Sequence, residues 1–252
     1  MYKDLMKVFE KSKRVSINSK SKIVIISDIH RGDGSYSDSL VSNKNIYKAA
    51  LNYYFKEGYV LIEAGDGDEL WKNKNCMDIA YNYKDVFRIL NRFNKANRLY
   101  LLYGNHDNVK VNKEYFKKQK KKFNKIDIGF GSDFLYLIDN IEFNEGLVLK
   151  YEEVNKEIFI THGHQVDLFN YELKFLSKFL VRHIWRHLEG IAGFKAPISP
   201  ANNYKRGGII DNELDEWARE NKKMIICGHT HLSSFPEVSE GTYFNDGCCV
   251  LP

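Results

Sequence analysis

The sequence predicts an α/β protein of layered sheets and helices, and three observations carry that prediction. Short apolar runs recur at residues 23–26, 59–62, 99–102, 158–160 and 224–227, each β-branched or aromatic in part. Such runs, closed by Gly or Asp, read as buried strands. Helical patterns separate the early runs, and strand–helix–strand alternation implies α/β layers. Each run also ends in a polar cluster: Asp28-Ile29-His30, Gly65-Asp66, Gly104-Asn105-His106-Asp107, Thr161-His162-Gly163-His164 and Gly228-His229-Thr230-His231. Ligands of such sheets collect beyond the carboxyl ends of the strands, so these clusters mark one edge as the candidate site.

The elements follow in order. Residues 46–55 form a first helix candidate. Ile79, Tyr83, Val86, Phe87, Leu90 and Phe93 repeat at the spacing of one helix face, which predicts a second. Residues 126–161 suggest several short strands, including 135–138 and 147–151. Residues 168–189 read as a long amphipathic helix, followed by a loop at 190–203 that contains Pro197 and Pro200. A last helix at 209–220 leads into the run at 224–227. At 252 residues the chain is read as one domain, 1–252, with a helical cap insertion at 168–203 beside the site.

Composition narrows the class of protein. The hydrophobic fraction of 43% and the 16 Tyr and 16 Phe suffice for a packed core and argue against general disorder. A net charge of +5 suits an anionic substrate without demanding nucleic acid. The four cysteines, Cys76, Cys227, Cys248 and Cys249, include no Cys-x-x-Cys pair and fit reduced thiols. No run approaches the ~18 apolar residues that span a bilayer, and residues 1–22 lack the apolar core of a signal peptide. A cytoplasmic protein is expected.

Carboxylate and amide oxygens bind hard divalent ions, and imidazole suits manganese, iron and zinc. Asp, Asn and His drawn from several strand ends can hold two ions ~3.5–4 Å apart, close enough to clamp one phosphoryl group. In their order, the five clusters resemble the motifs of the calcineurin-like metallophosphoesterases, over residues 28–231. The resemblance implies a layered α/β/β/α sandwich and a phosphatase or phosphodiesterase. It implies two divalent ions, manganese foremost, with iron, zinc or nickel as alternatives. Asp28, His30 and His231 would hold one ion, Asn105, His162 and His229 the other, and Asp66 would bridge them. A metal-bound hydroxide would be the nucleophile. His106 would lie by the phosphate as a transition-state stabiliser or acid, with Asp107 orienting its ring. Glu69, His164 and Arg31 are expected behind the ligands or at the substrate. Gly67 and Gly163 are read as giving backbone room near the ions. The competing readings make Asp28 and Asp66 helix N-caps and His106 a core histidine.

Other features bear on the substrate. Lys174, Lys178, Arg182 and Arg186 form a basic stripe on the predicted cap helix. It could bind an anionic head group or touch a membrane surface peripherally, or be a solvated face. His183 and His187 are four apart but lack the Glu of a zinc-protease helix. The Lys-rich stretch 117–125 could contact nucleic acid, but a solvated helix face is favoured because no aromatics interleave. Ser27-Asp28-Ile29-His30-Arg31-Gly32-Asp33 and the ending Tyr243-Phe244-Asn245-Asp246-Gly247-Cys248 are similar to the branch containing UDP-2,3-diacylglucosamine pyrophosphohydrolase. Those lipid enzymes place Arg where His106 stands, a departure that points to a general phosphoesterase with a histidine acid. The expected substrate is a phosphorylated small molecule or lipid head group. A pyrophosphohydrolase, a nuclease and a non-catalytic metal-binding scaffold are the alternatives.

Overall fold

The computed structural model describes residues 2–123, 132–167, 204–237 and 241–250. Two sheets lie face to face. One contains β1 (Lys13–Ile17), β6 (Gly146–Tyr151), β7 (Lys156–Thr161), β8 (Met224–Cys227) and β9 (Tyr243–Asn245), in the order β1-β6-β7-β8-β9. The other contains β2 (Ile23–Ile26), β3 (Val60–Ala64), β4 (Leu99–Leu102) and β5 (Phe143–Asn144), in sequence order. Every neighbouring pair is parallel except β6 with β7.

The strand sequences explain the layers. Side chains alternate between faces along a strand, so a strand buried on both faces is apolar throughout. Ile23, Ile25, Ile62, Tyr100, Leu102, Leu147, Leu149, Ile158, Ile160 and Ile226 meet between the sheets. Their neighbours Val24, Ile26, Leu61, Leu99 and Leu101 face outward onto the helical side of the smaller sheet. There they meet α2 (Lys44–Lys56), α3 (Cys76–Asn82), α4 (Lys84–Lys95) and α6 (Ser132–Asn140). On the opposite side Val148, Phe159, Ile225 and Tyr243 pack under α1 (Tyr2–Lys11) and α7 (Tyr204–Glu220). The result is the α/β/β/α sandwich.

Two local expectations change, and a third, the Lys-rich segment as a solvated helix face, agrees with the structure. The six residues expected on one helix face are all buried, but the helix is broken: α3 ends and α4 begins at Tyr83, whose hydroxyl bonds the Asp38 carboxylate at 2.8 and 2.9 Å. Residues 135–138 belong to the helix α6 and not to a strand. Phe134 and Leu137 are buried and Ile138 half-buried against α4, a spacing of three and four residues that suits a helix face. The lysines of α5 (Lys113–Phe123) are largely exposed, while Phe116, Gln119 and Phe123 are buried, the pattern of a solvated helix face. Sequence reasoning also passed over α1 and β1, although Leu5, Val8 and Phe9 carry a helix-face spacing.

The expected cap insertion, its basic stripe, His183 and His187 lie outside the described residues. Among the described residues no helix is long and apolar enough to cross a membrane.

Candidate metal centre

The loops that follow β2, β3, β4, β7 and β8 converge at one edge, and their backbones are held in an uncommon conformation. Asp28, His30, Asp66, His229 and His231 all have φ between 48° and 71°. Asp and His tolerate this left-handed region better than most residues, yet the cost is of order 1 kcal/mol or more each and persists only where surroundings enforce it. Neither Asp28 nor Asp66 caps a helix, because α2 begins at Lys44 and α3 at Cys76. Two glycines make the approach possible. A Cβ on Gly104 would overlap Asp66 Oδ1, and one on Gly228 would overlap Ser27 Oγ and Asp28 Oδ2.

Each central carboxylate has one oxygen pinned by a backbone amide. His229 N–H donates to Asp28 Oδ2 and His106 N–H to Asp66 Oδ1, both at 2.8 Å. The other oxygens face imidazoles. Asp28 Oδ1 lies 3.0 Å from His231 Nε2 and 3.6 Å from His30 Nε2. Asp66 Oδ2 lies 3.2 Å from His162 Nε2 and 3.9 Å from His30 Nε2, between the two groups of ligands expected from sequence. Asn105 Oδ1 is also 3.2 Å from His162 Nε2, and His162 Nδ1–H donates to the Ala64 carbonyl, turning Nε2 inward. Among the described residues three triads bring donor atoms within 4.8 Å of one another: Asp28, His30 and His231; Asp28, Asp66 and His162; and His30, Glu69 and His106.

Charge follows from this geometry. Burial alone would raise the Asp28 carboxyl, but His231 and His162 hold it well below the usual carboxylate range. Burial opposes charge on His162 and His231, yet Asp66 and Asp28 lift the first to about 9, and Asp28 lifts the second to about 9. His162 and His231 are thus favoured in the charged form where a cation could sit, and metal binding at such ligands would release the proton. His30 supplies an independent sign. Both of its ring nitrogens are buried and neither completes a hydrogen bond. Glu69 lies 3.3 Å from Nδ1 and Asp28 3.6 Å from Nε2, close but misaligned contacts that an ion taking a ring lone pair would complete. Two carboxylates, an amide oxygen and several imidazoles fit borderline divalent ions.

The remaining residues sort by what they touch. His106 is 19% exposed, so it is no core histidine, and with His231 (18%) it opens the site to solvent. Its Nδ1 meets both Glu69 oxygens at 2.9 Å, and the Trp71 ring stacks on it with centroids 4.3 Å apart. Asp107 does not orient that ring. Its carboxylate instead accepts the Gly104 and Gly67 amides and the Lys110 ammonium. Glu69 takes that place, and also lies 3.3 Å from His30 Nδ1. Arg31 is buried and bonded to Glu63, Asp68 and Tyr47, so it faces the protein interior and cannot meet substrate. Gly67 makes room for that guanidinium and not for an ion, and Gly163 accommodates a φ of +99°. His164 is buried beside His162 and His229, which with burial hold its ring well below the usual histidine range.

Four supporting residues were missed from sequence. Asp167 Oδ2 lies 3.1 Å from His229 Nε2, with Arg206 on its other oxygen. Ser27 Oγ bonds Asp28 Oδ2 at 2.7 Å. Asp211 on α7 accepts the Thr230 hydroxyl, and Asn245 Nδ2 bonds the Gly228 carbonyl and Thr230 Oγ1. Asp167 alone had a usable signal, a carboxylate closing the loop that His162 opens.

A two-sheet sandwich with carboxylate and imidazole donors gathered at strand ends defines a candidate metal-binding α/β protein, and the family match gives it the class of a metal-dependent phosphoester hydrolase. The chain matches the calcineurin-like phosphoesterase family over residues 21–233 and belongs to it. Among solved structures it is similar to a conserved uncharacterized protein, a predicted phosphoesterase, from Streptococcus pneumoniae TIGR4. The two share 15% identity with a TM-score of 0.36, over 90% of this chain and 71% of the other. Comparison with curated proteins finds no match.

Proposed function

We propose that the chain is a dinuclear phosphatase or phosphodiesterase of small phosphorylated molecules. The observation that carries this reading is the position of the Asp66 carboxylate between the His30 and His162 rings, with solvent-open His106 alongside. Asp28, His30 and His231 would hold one ion, Asn105, His162 and His229 the other, and Asp66 both. His229 would use Nδ1, because Asp167 engages its Nε2. The ions, manganese or a similar divalent metal, would supply charge to the phosphoryl oxygens and acidify a water. Glu69 accepts from His106 Nδ1–H and orients the ring, so that in the imidazolium form Nε2–H would face the leaving oxygen and hand it that proton, leaving the neutral ring with its Nδ1–H still on Glu69. Trp71 keeps that ring from swinging away.

After chelation, addition of Mn²⁺ should restore hydrolysis of a chromogenic phosphomonoester or phosphodiester, with two ions counted per chain by elemental analysis. Failure on both substrates with manganese, iron, zinc and nickel would overturn the reading. The role of Asp167 has its own check. A carboxylate behind a metal-bound imidazole is worth roughly 10–100-fold in affinity, so Asp167→Ala should weaken the second ion by about that factor in a metal titration. Unchanged binding of both ions would assign Asp167 to the Arg206 contact alone.

A further inference from the structure

A chain of buried charges runs behind the metal centre, and none of its members is one of the candidate ligands or His106. Glu63 accepts both Arg31 Nη atoms, at 2.7 and 2.9 Å, and Arg31 Nε reaches Asp68 Oδ1 at 2.6 Å. Asp68 Oδ2 lies 2.8 Å from Lys110 Nζ, which reaches Asp107 Oδ2 at 2.7 Å. Asp107 then accepts the amides of Gly104 (2.8 Å) and Gly67 (3.1 Å). All five charged side chains are 7% exposed or less. The main chain doubles the link: Arg31 N–H donates to the Gly67 carbonyl and Glu69 N–H to the Arg31 carbonyl.

We propose that Arg31 and Lys110 are positioning residues that set the spacing of the two ion sites by locking three ligand loops into one register. The inference rests on the dinuclear reading above. Arg31 follows His30 directly, Asp68 stands two residues after Asp66, and Asp107 two after Asn105. The ion chain thus joins a ligand of one ion, the shared carboxylate and a ligand of the other. Buried ion pairs are a poor source of stability compared with apolar packing of the same volume, so stability alone does not account for five such groups. Register does. His30 and Asp66 hold positive φ, Asp66 sits between Gly65 and Gly67, and such a loop keeps its shape only if something over-determines it. A phosphoryl clamp also works only at a narrow ion separation. The guanidinium fork ties its own loop to Glu63 of β3 and to Asp68 just beyond it, and the multi-donor ammonium joins Asp68 to Asp107 of the next loop.

The test compares wild type, Lys110→Met, Lys110→Arg and Arg31→Lys, each loaded with Mn²⁺, with circular dichroism and thermal melts to verify folding. Metal titration, the spin-coupling of the manganese pair in electron paramagnetic resonance, and kcat against KM are read together. Lys110→Met should bind the second ion about 10-fold or more weakly and lose the coupled signal. Its kcat should fall by a similar factor at little-changed KM, and Lys110→Arg should restore part of each. Arg31→Lys keeps its charge but loses the fork, and should show the same defects more mildly; it carries the test if Lys110→Met does not fold. Two ions with wild-type affinity and coupling in Lys110→Met and Arg31→Lys would overturn the inference while leaving the dinuclear reading intact. A wild type that binds no coupled pair would instead overturn the dinuclear reading and this inference with it.

Discussion

Asp66→Asn should lower kcat by about a thousandfold and reduce the metal content from two ions to one or fewer. The amide is nearly isosteric. It can still accept the His106 amide through Oδ1, at 2.8 Å in the native protein, and still pack against Gly104. What it lacks is the negative charge that two cations need between them. Burial opposes ionisation of Asp66, yet His162 and His106 hold its carboxyl well below the usual range, which marks a site selected to stay anionic. An ion pair acting on a phosphoryl group is worth several kcal/mol of transition-state stabilisation, and ~4 kcal/mol corresponds to roughly three decades in rate. Elemental analysis of the purified variant, with kcat measured at saturating substrate, checks both halves. Two ions retained with near-native turnover would remove Asp66 from the bridge and leave Asp28, whose Oδ1 also lies 4.0 Å from His162 Nε2, as the shared ligand.

The residues around Asp66 show which physics is visible in a sequence. The strands at 23–26 and 99–102 were legible because each packs on both faces, against the other sheet and against the helices, and so carries no charged or amide residue that would blur the signal. Their terminal clusters were legible as a candidate site because Asp, Asn and His carry donor atoms whatever their neighbours are. Direction was not legible. Asp107 is adjacent to His106 in sequence but turns to Gly104 and Lys110, whereas Glu69, 37 residues away, meets the ring. Arg31 follows the candidate ligands Asp28 and His30, yet its partner Glu63 lies on the helical side of β3, so the side chain turns inward. Residues 135–138 have the composition of a strand; they fold as part of a helix that packs on α4, while the short β5 pairs with β4. The Glu69–His106 and Arg31–Glu63 partnerships join residues 37 and 32 apart in sequence, which no local pattern encodes.

Loss of the His106 imidazole should cut turnover without emptying the site, and this separates its role from that of Asp66. His106→Gln is expected to lower kcat by about 10²–10⁴-fold, the range of general acid catalysis, with both ions kept. Its Nδ1 is committed to Glu69 and its ring is stacked on Trp71, so Nε2 is the ring nitrogen left for a substrate. If that nitrogen protonates the leaving oxygen, the defect must depend on the leaving group. A nitrophenolate departs without help, so the loss should be small on the chromogenic ester and large on an alkyl phosphate. Equal losses on both would make His106 a stabiliser of phosphoryl charge instead. Glu69 supplies the second arm of the test. Glu69→Gln should be defective alone, but Glu69→Gln/His106→Gln should be little worse than His106→Gln, because the carboxylate acts on turnover through the ring. Because Glu69 also lies 3.3 Å from His30 Nδ1, metal content must be measured in parallel. Additive losses at full metal occupancy would mean that Glu69 acts on the reaction independently of His106.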